Sequence, residues 1–103
     1  MTYATATILN AIANGYRYGF DIIGATGLPG GTVYPALRRL EDAGHLSASW
    51  ERERIARAEP RPPRRYYELT REGRAVLAGA AKRYRLADPA PPSKARLPRP
   101  SRS

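Results

Sequence analysis

"GLPGGTVYPALRRLEDAGHL", Gly27 to Leu46, breaks the chain and then builds a basic helix directly after the break. Its first five residues hold one proline and three glycines, and Arg38 and Arg39 follow on the helix with Pro35 already inside it. A phosphate-cradling loop, an ordinary turn and a helix offered end-on to a nucleic-acid groove would each use such a break. A phosphate loop needs a lysine just before its hydroxyl residue and a buried strand ahead of it; "GATGLPGGT" has neither. Past the break, Val33, Leu37, Leu40 and Gly44 recur at spacings of four, three and four. They project within about 40° of one another on a helix and predict one narrow core face. Gly31, Pro35, Arg38 and Asp42 fall on the opposite face, with Tyr34 on its flank.

Upstream, Ile8, Leu9 and Ile12 form a helical stripe over Tyr3 to Ala13, with a stop at Asn14 and Gly15. "YGFDIIGATG" predicts a short second helix with Phe20 and Ile23 inward, closed by Gly24 and Gly27. Downstream the period changes to two. "HLSASWE" alternates Leu46, Ala48 and Trp50 against polar neighbours, and "RRYYELT" alternates Arg65, Tyr67 and Leu69 against Tyr66, Glu68 and Thr70. Two half-buried strands joined as a hairpin fit this pattern, with "RERIARAEPRPPR" as a long basic tip. Thr70 is a credible cap for a last helix carrying Val76, Leu77, Ala80 and Tyr84, ended by Pro89.

These elements predict an α+β, mostly helical fold: a winged helix-turn-helix, with a three-helix core, a β-hairpin wing and a short C-terminal helix. The expected division is residues 1–70 for the winged-helix domain, 71–87 for a C-terminal helix that serves dimerisation, and 88–103 for a disordered, basic, proline-rich tail. That tail has five prolines and four basic residues against one acidic. Within the chain, Phe20, Ile23, Leu37, Leu40, Leu69, Trp50 and Tyr67 are expected in the core, and His45 is given no role beyond surface polarity.

Composition narrows the function. The formal net charge is +9 and 16 of the 18 basic residues are arginine, which favours a polyanionic partner. With no cysteine and a single histidine, a thiol nucleophile, a Cys-ligated metal and a histidine-based triad are excluded or disfavoured, so neither metal nor cofactor nor enzymatic activity is expected. No apolar run approaches the roughly 20 residues of a membrane span. The first residues lack the basic flank of a signal peptide, and a cytoplasmic protein with no membrane contact is expected.

"ILNAIANGYRYGFDIIGATGLPGGTVYPALRRLEDAGHLSASWE", followed by "RRYYELTREG", resembles the PadR family of bacterial transcriptional regulators over about Ile8 to Gly73. "GTVYPALRRLEDAG" and "YYELT" are the specific parts. The resemblance implies a homodimer whose third helices enter successive major grooves of a near-palindromic operator, with the wings along the backbone or minor groove. It also implies repression, and release of DNA by a small hydrophobic effector, whose pocket would here be built from helices one and four. The chain departs from the family in its last helix, which is short for a dimerisation element.

On these grounds the expected DNA-binding residues are Gly31, Thr32, Tyr34, Pro35, Arg38, Arg61, Arg64 and Arg65. Gly31 lets a helix N-terminus approach a phosphate closely. Thr32 either caps the helix or donates its hydroxyl to the DNA backbone. If Thr32 is the cap, Pro35 sits in the first turn at no cost; if the helix begins at Pro29, Pro35 lies inside it. Tyr34 serves either the interhelix packing or a DNA contact. Arg38 points away from the core stripe and suits a phosphate or a guanine edge, whereas Arg39 can pair with Glu41 or Asp42. Residues 51–65 carry six arginines against three glutamates, and Arg61, Arg64 and Arg65 are expected at the backbone or minor groove, Arg65 partly structural. The rival function is a winged-helix protein-interaction or assembly module without sequence-specific DNA binding.

Overall fold

The computed structural model describes residues 1–52 and 61–86; the wing tip and the basic tail lie outside the described residues. Among the described residues, four helices and a two-stranded hairpin follow one another as α1 (Tyr3–Ala13), α2 (Gly19–Thr26), α3 (Gly30–Asp42), β1 (Leu46–Trp50), β2 (Arg65–Leu69) and α4 (Arg71–Tyr84).

Local chemistry sets these boundaries. Thr2 caps α1, its hydroxyl accepting the Thr5 N–H at 3.1 Å. Gly27, at φ +74°, closes α2 in a left-handed conformation that glycine adopts without strain. Gly24 is passed without a break, because a glycine in ordinary helical geometry weakens a helix rather than ending it. Helix α3 begins at Gly30 with Pro29 as its cap residue, so Thr32 is its third residue and Pro35 its sixth. The reading with Thr32 as cap is therefore corrected. Pro35 lies inside α3, and the Gly31 carbonyl lacks the helical N–H that any other residue there would supply. Thr70 caps α4 through its hydroxyl, which accepts the Gly73 N–H at 3.0 Å and donates to the Gly44 carbonyl at 2.6 Å. Arg85, at φ 53°, closes α4 ahead of Pro89.

The core is a cluster of Ile8, Leu9, Ile12, Ile22, Val33, Leu37, Leu40 and Leu46, joined by Tyr16 and Tyr67. Each fully buried aliphatic chain contributes about 1.5–3 kcal/mol over an exposed one. Antiparallel pairing sets Leu46 opposite Leu69, Ala48 opposite Tyr67 and Trp50 opposite Arg65. The α1–α2 linker adds to this small sheet: Tyr18 bridges to Tyr66, and the Tyr67 N–H donates to the Arg17 carbonyl at 2.8 Å.

Three core expectations are corrected. Phe20 is 76% exposed, because Gly19, Ile22 and Ile23 make up the inward face of α2 and Phe20 lies about 100° from it. Trp50 is 63% exposed: it lies at the far end of β1, on the face shared with Leu46 and Ala48 but beyond the reach of the three-helix core. Gly44 is not a core residue of α3; at φ +84° it turns the chain out of the helix.

His45 is more than surface polarity. Its carbonyl accepts the Thr70 N–H at 3.1 Å and occupies the place where a side chain on Gly73 would begin. Gly73 is thereby required where α4 meets the α3–β1 corner. The His45 Nδ1 is buried without a hydrogen-bond partner among the described residues.

Candidate nucleic-acid interface

Helix α3 presents Gly31, Tyr34, Pro35, Arg38 and Asp42 to solvent, with Thr32 half-buried. Its cap, Pro29, offers no side-chain acceptor, while the Pro29 carbonyl takes the N–H groups of Thr32 and Val33 at 2.9 and 3.0 Å. The amides of Gly30 and Gly31 lie ahead of the first intrahelical bonds, at the positive end of the helix dipole. A methyl group placed on Gly31 would meet no protein atom within 4 Å. Neither packing nor backbone conformation requires glycine at that position.

Tyr34 takes the interhelix role. One part of its ring lies against Gly19, so closely that a Cβ there would overlap it, and this contact fixes α3 on α2. The ring is nevertheless 52% exposed. The Arg38 side chain is exposed and has neither ion pair nor hydrogen bond among the described residues, and the same holds for the side chain of Arg39. The expected pairing of Arg39 with Glu41 or Asp42 is absent there; Glu41 pairs instead with Arg65, at 3.0 Å.

Across from α3 stands the base of the wing, whose arginines have different surroundings. Arg61 grips Glu51 with both ends of its guanidinium, Nη1 to Oε1 at 2.7 Å and Nη2 to Oε2 at 2.9 Å. Glu51 Oε1 also accepts the Arg64 N–H at 3.2 Å. The Arg61 hydrogen bonds, the Arg64 amide and the two positive charges hold the Glu51 carboxyl at about 2, against the opposing effect of burial. Arg65 pairs with Glu41 and lies over the Trp50 ring, 5.0 Å from its centre. Arg64 lies 4.3 Å over the ring of Tyr18 and has no ion pair among the described residues.

Between α3 and the wing base runs an open groove with two lobes that share Tyr34. One, of about 730 Å³, is bordered by Pro35, Arg38, Trp50 and Arg65. The other, of about 530 Å³, is bordered by Tyr18, Phe20, Pro62 and Arg64. Of the eight expected site residues, Tyr34, Pro35 and Arg38 on α3 and Arg61, Arg64 and Arg65 on the wing line this groove, whereas Gly31 and Thr32, in the first turn of α3, do not. The sequence reading missed Tyr18, Phe20 and Trp50, which rim the groove; the first two sit at the start of a helix too short for its periodicity to assign a face. Among the described residues no group of acidic or histidine side chains could hold a metal, and no helix is long and apolar enough to cross a membrane.

This geometry has close counterparts among known proteins. A PadR family transcription regulator from Clostridium difficile R20291 is 26% identical and superposes with a TM-score of 0.69 over 82% of this chain and 88% of that one. Bacillus subtilis PadR in complex with operator DNA is 20% identical, with a TM-score of 0.68 over 84% of this chain and 51% of that one. Bordetella bronchiseptica BpsR, whose DNA binding is regulated by 6-hydroxynicotinic acid, is 23% identical, with a TM-score of 0.64 over 80% and 54%. At these identities the last two share the fold alone. No curated protein matches the sequence significantly. The model of the transcriptional regulator PadR-like family matches residues 8–79, well over half the chain. The chain therefore belongs to the PadR-like family, whose members are winged-helix, DNA-binding transcription regulators and not enzymes.

Proposed function

We propose that this protein is a transcriptional repressor that binds duplex DNA as a homodimer, with the first turns of α3 in the major groove and the wing along the backbone. The observation that carries this reading is the face shared by Gly31 and Arg38: an open helix N-terminus and a guanidinium without a partner among the described residues, facing the same solvent. Arg64 extends that positive surface across the groove. In this reading Gly31 and Thr32 approach a phosphate, Tyr34 and Pro35 border the groove edge, and Arg38 reads a base or holds a phosphate. Its place of action is the cytoplasm.

The dimer would form through α1 and α4. Their ends are already tied, Tyr84 donating its hydroxyl to the Met1 carbonyl at 2.7 Å and its ring meeting Tyr3 edge-on, while Tyr3 is 59% exposed. Residues 1–70 then form the DNA-binding unit and 71–87 the dimerisation element. A small, flat, hydrophobic effector fits the same place. The groove beside Met1, Val76 and Gly79 measures about 230 Å³, less than the roughly 300 Å³ at which ligand pockets begin, and a second copy packed on α4 would complete it.

Affinity for a fluorescent duplex, followed by anisotropy as salt is raised, tests the partner class. DNA binding gives a line on log–log axes whose slope is about −0.9 for each phosphate neutralised. Weak binding that is indifferent to base sequence contradicts the repressor reading and favours a protein-interaction module.

A further inference from the structure

The wing is tied shut at its base. Glu51 directly follows β1, and residues 61–64 directly precede β2. The Glu51 N–H donates to the Arg64 carbonyl at 2.7 Å, and the Glu51 carboxylate returns to the Arg64 N–H at 3.2 Å. Tyr66 adds its hydroxyl to Oε2 at 3.5 Å. The Glu51 side chain is only 5% exposed and that of Arg61 24%. An acid this buried is stable as an anion only because donors surround it. Arg61 supplies two of them in the bidentate geometry that makes an Arg–carboxylate pair directional.

This arrangement sorts the wing's arginines by availability. Arg61 has its charge neutralised and both terminal nitrogens engaged. Arg65 is paired with Glu41. Arg64 has its backbone pinned by Glu51 at both N–H and C=O, while its guanidinium rests on the Tyr18 ring at the rim of the groove, without an ion pair among the described residues.

We propose that Glu51 is a positioning residue for DNA binding: by neutralising Arg61 and fixing the backbone of Arg64, it makes Arg64 the phosphate contact of the wing base and Arg61 a strut. The proposal rests on the DNA-binding reading above. It departs from the sequence expectation that both arginines touch DNA.

The test uses the full chain, a selected operator duplex and an unrelated duplex, with affinity measured between 50 and 200 mM salt. Arg64→Gln lowers the log–log slope by about 0.9, the share of one phosphate, on both duplexes. Arg61→Gln weakens binding but leaves the slope within about 0.2. Glu51→Gln frees the Arg61 charge, so the slope on the unrelated duplex becomes steeper even as operator affinity falls, which loss of folded protein alone would not produce. Thermal melting confirms that each variant is folded at the assay temperature.

Equal slope losses for Arg61→Gln and Arg64→Gln overturn the proposal, as does an unchanged slope for Arg64→Gln. A parallel titration of the Glu51 carboxyl by NMR needs no DNA. Titration near 2 in the wild type and at an ordinary carboxylate value in Arg61→Gln supports the clamp; ordinary titration in both overturns it. Failure of the wild type to bind any duplex with a salt-dependent affinity instead refutes the DNA-binding reading itself, and the NMR result keeps the two failures apart.

Discussion

Replacing Gly31 with alanine should make the protein more stable and a worse DNA binder. Gly31 is the second residue of α3, has no positive φ, and has no protein atom within 4 Å of where a Cβ would sit. The added methyl therefore costs no packing. It removes the conformational freedom of an unfolded glycine and gains helix propensity, together worth about 0.5–1 kcal/mol. In a domain of this size that raises Tm by roughly 2–8 °C. On the proposed reading the use of this glycine lies outside the fold, where the open helix N-terminus would meet a phosphate. A methyl there holds the backbone N–H groups away from the oxygen, and loss of such a contact should cost about 1–3 kcal/mol, or fivefold to over a hundredfold in affinity. Circular-dichroism melting and anisotropy binding on one preparation read both quantities. A Gly31→Ala protein that melts higher and binds operator as well as wild type would refute the assignment of this N-terminus to DNA. One that melts lower would refute the local structure.

Other substitutions probe the supports of the site. Gly19→Ala would place a methyl in the Tyr34 ring, and overpacking of this kind costs about 1–3 kcal/mol; in a Tyr34→Ala background the cost should vanish, and additive penalties in chemical denaturation would show that the two residues do not touch. Gly73→Ala sets a methyl against the His45 carbonyl, which is backbone and cannot move aside, so Tm should fall by at least about 5 °C; an unchanged Tm would contradict the α4 docking. The Arg61 pair holds the Glu51 carboxyl at about 2 instead of 4.5 and so stabilises the folded state. Because the folded value is the lower one, this stability is fully present above pH 4.5 and is lost as pH falls towards 2. Glu51→Gln should therefore flatten the acid limb of the stability curve, and an acid limb identical to wild type would remove Glu51 from the account. His45→Leu deletes a buried nitrogen that has no partner among the described residues and should leave Tm unchanged or raise it, whereas a clear drop would show that the nitrogen is satisfied.

The parts of the fold legible in the sequence were those with a long, one-sided pattern. Val33, Leu37 and Leu40 mark the buried face of α3 over three turns, and the alternation of Leu46 and Ala48 against serines places β1. Phe20 was misplaced because α2 has only eight residues, so Phe20–Ile23 and Gly19–Ile22 stripes are equally regular. Only the Tyr34 ring, from another helix, decides between them by demanding a residue without a side chain at Gly19. Trp50 was misplaced for a different reason: alternation gives the face of a strand but not how far the core beneath it extends.

The exposed face of α3 was legible in the sequence, and the surroundings of the wing arginines were less so. Gly31, Tyr34 and Arg38 follow from the faces of α3. The Glu51 clamp was not legible, because the register that sets Trp50 opposite Arg65, and so Glu51 beside Arg64, is fixed only in the folded hairpin. Reading the wing as one basic tip hid it. Charge counting treats six arginines as equivalent, and only geometry separates a paired guanidinium from a free one.

Selection of bound sequences from random duplex DNA tests the central claim most directly. A winged-helix homodimer that reads the major groove through α3 should enrich a near-palindrome whose half-sites lie one helical turn, about 10 base pairs, apart, and Arg38→Ala should weaken binding to it or relax its sequence. Recovery of no enriched motif, or of one that Arg38→Ala binds as tightly and as selectively as wild type, would contradict it.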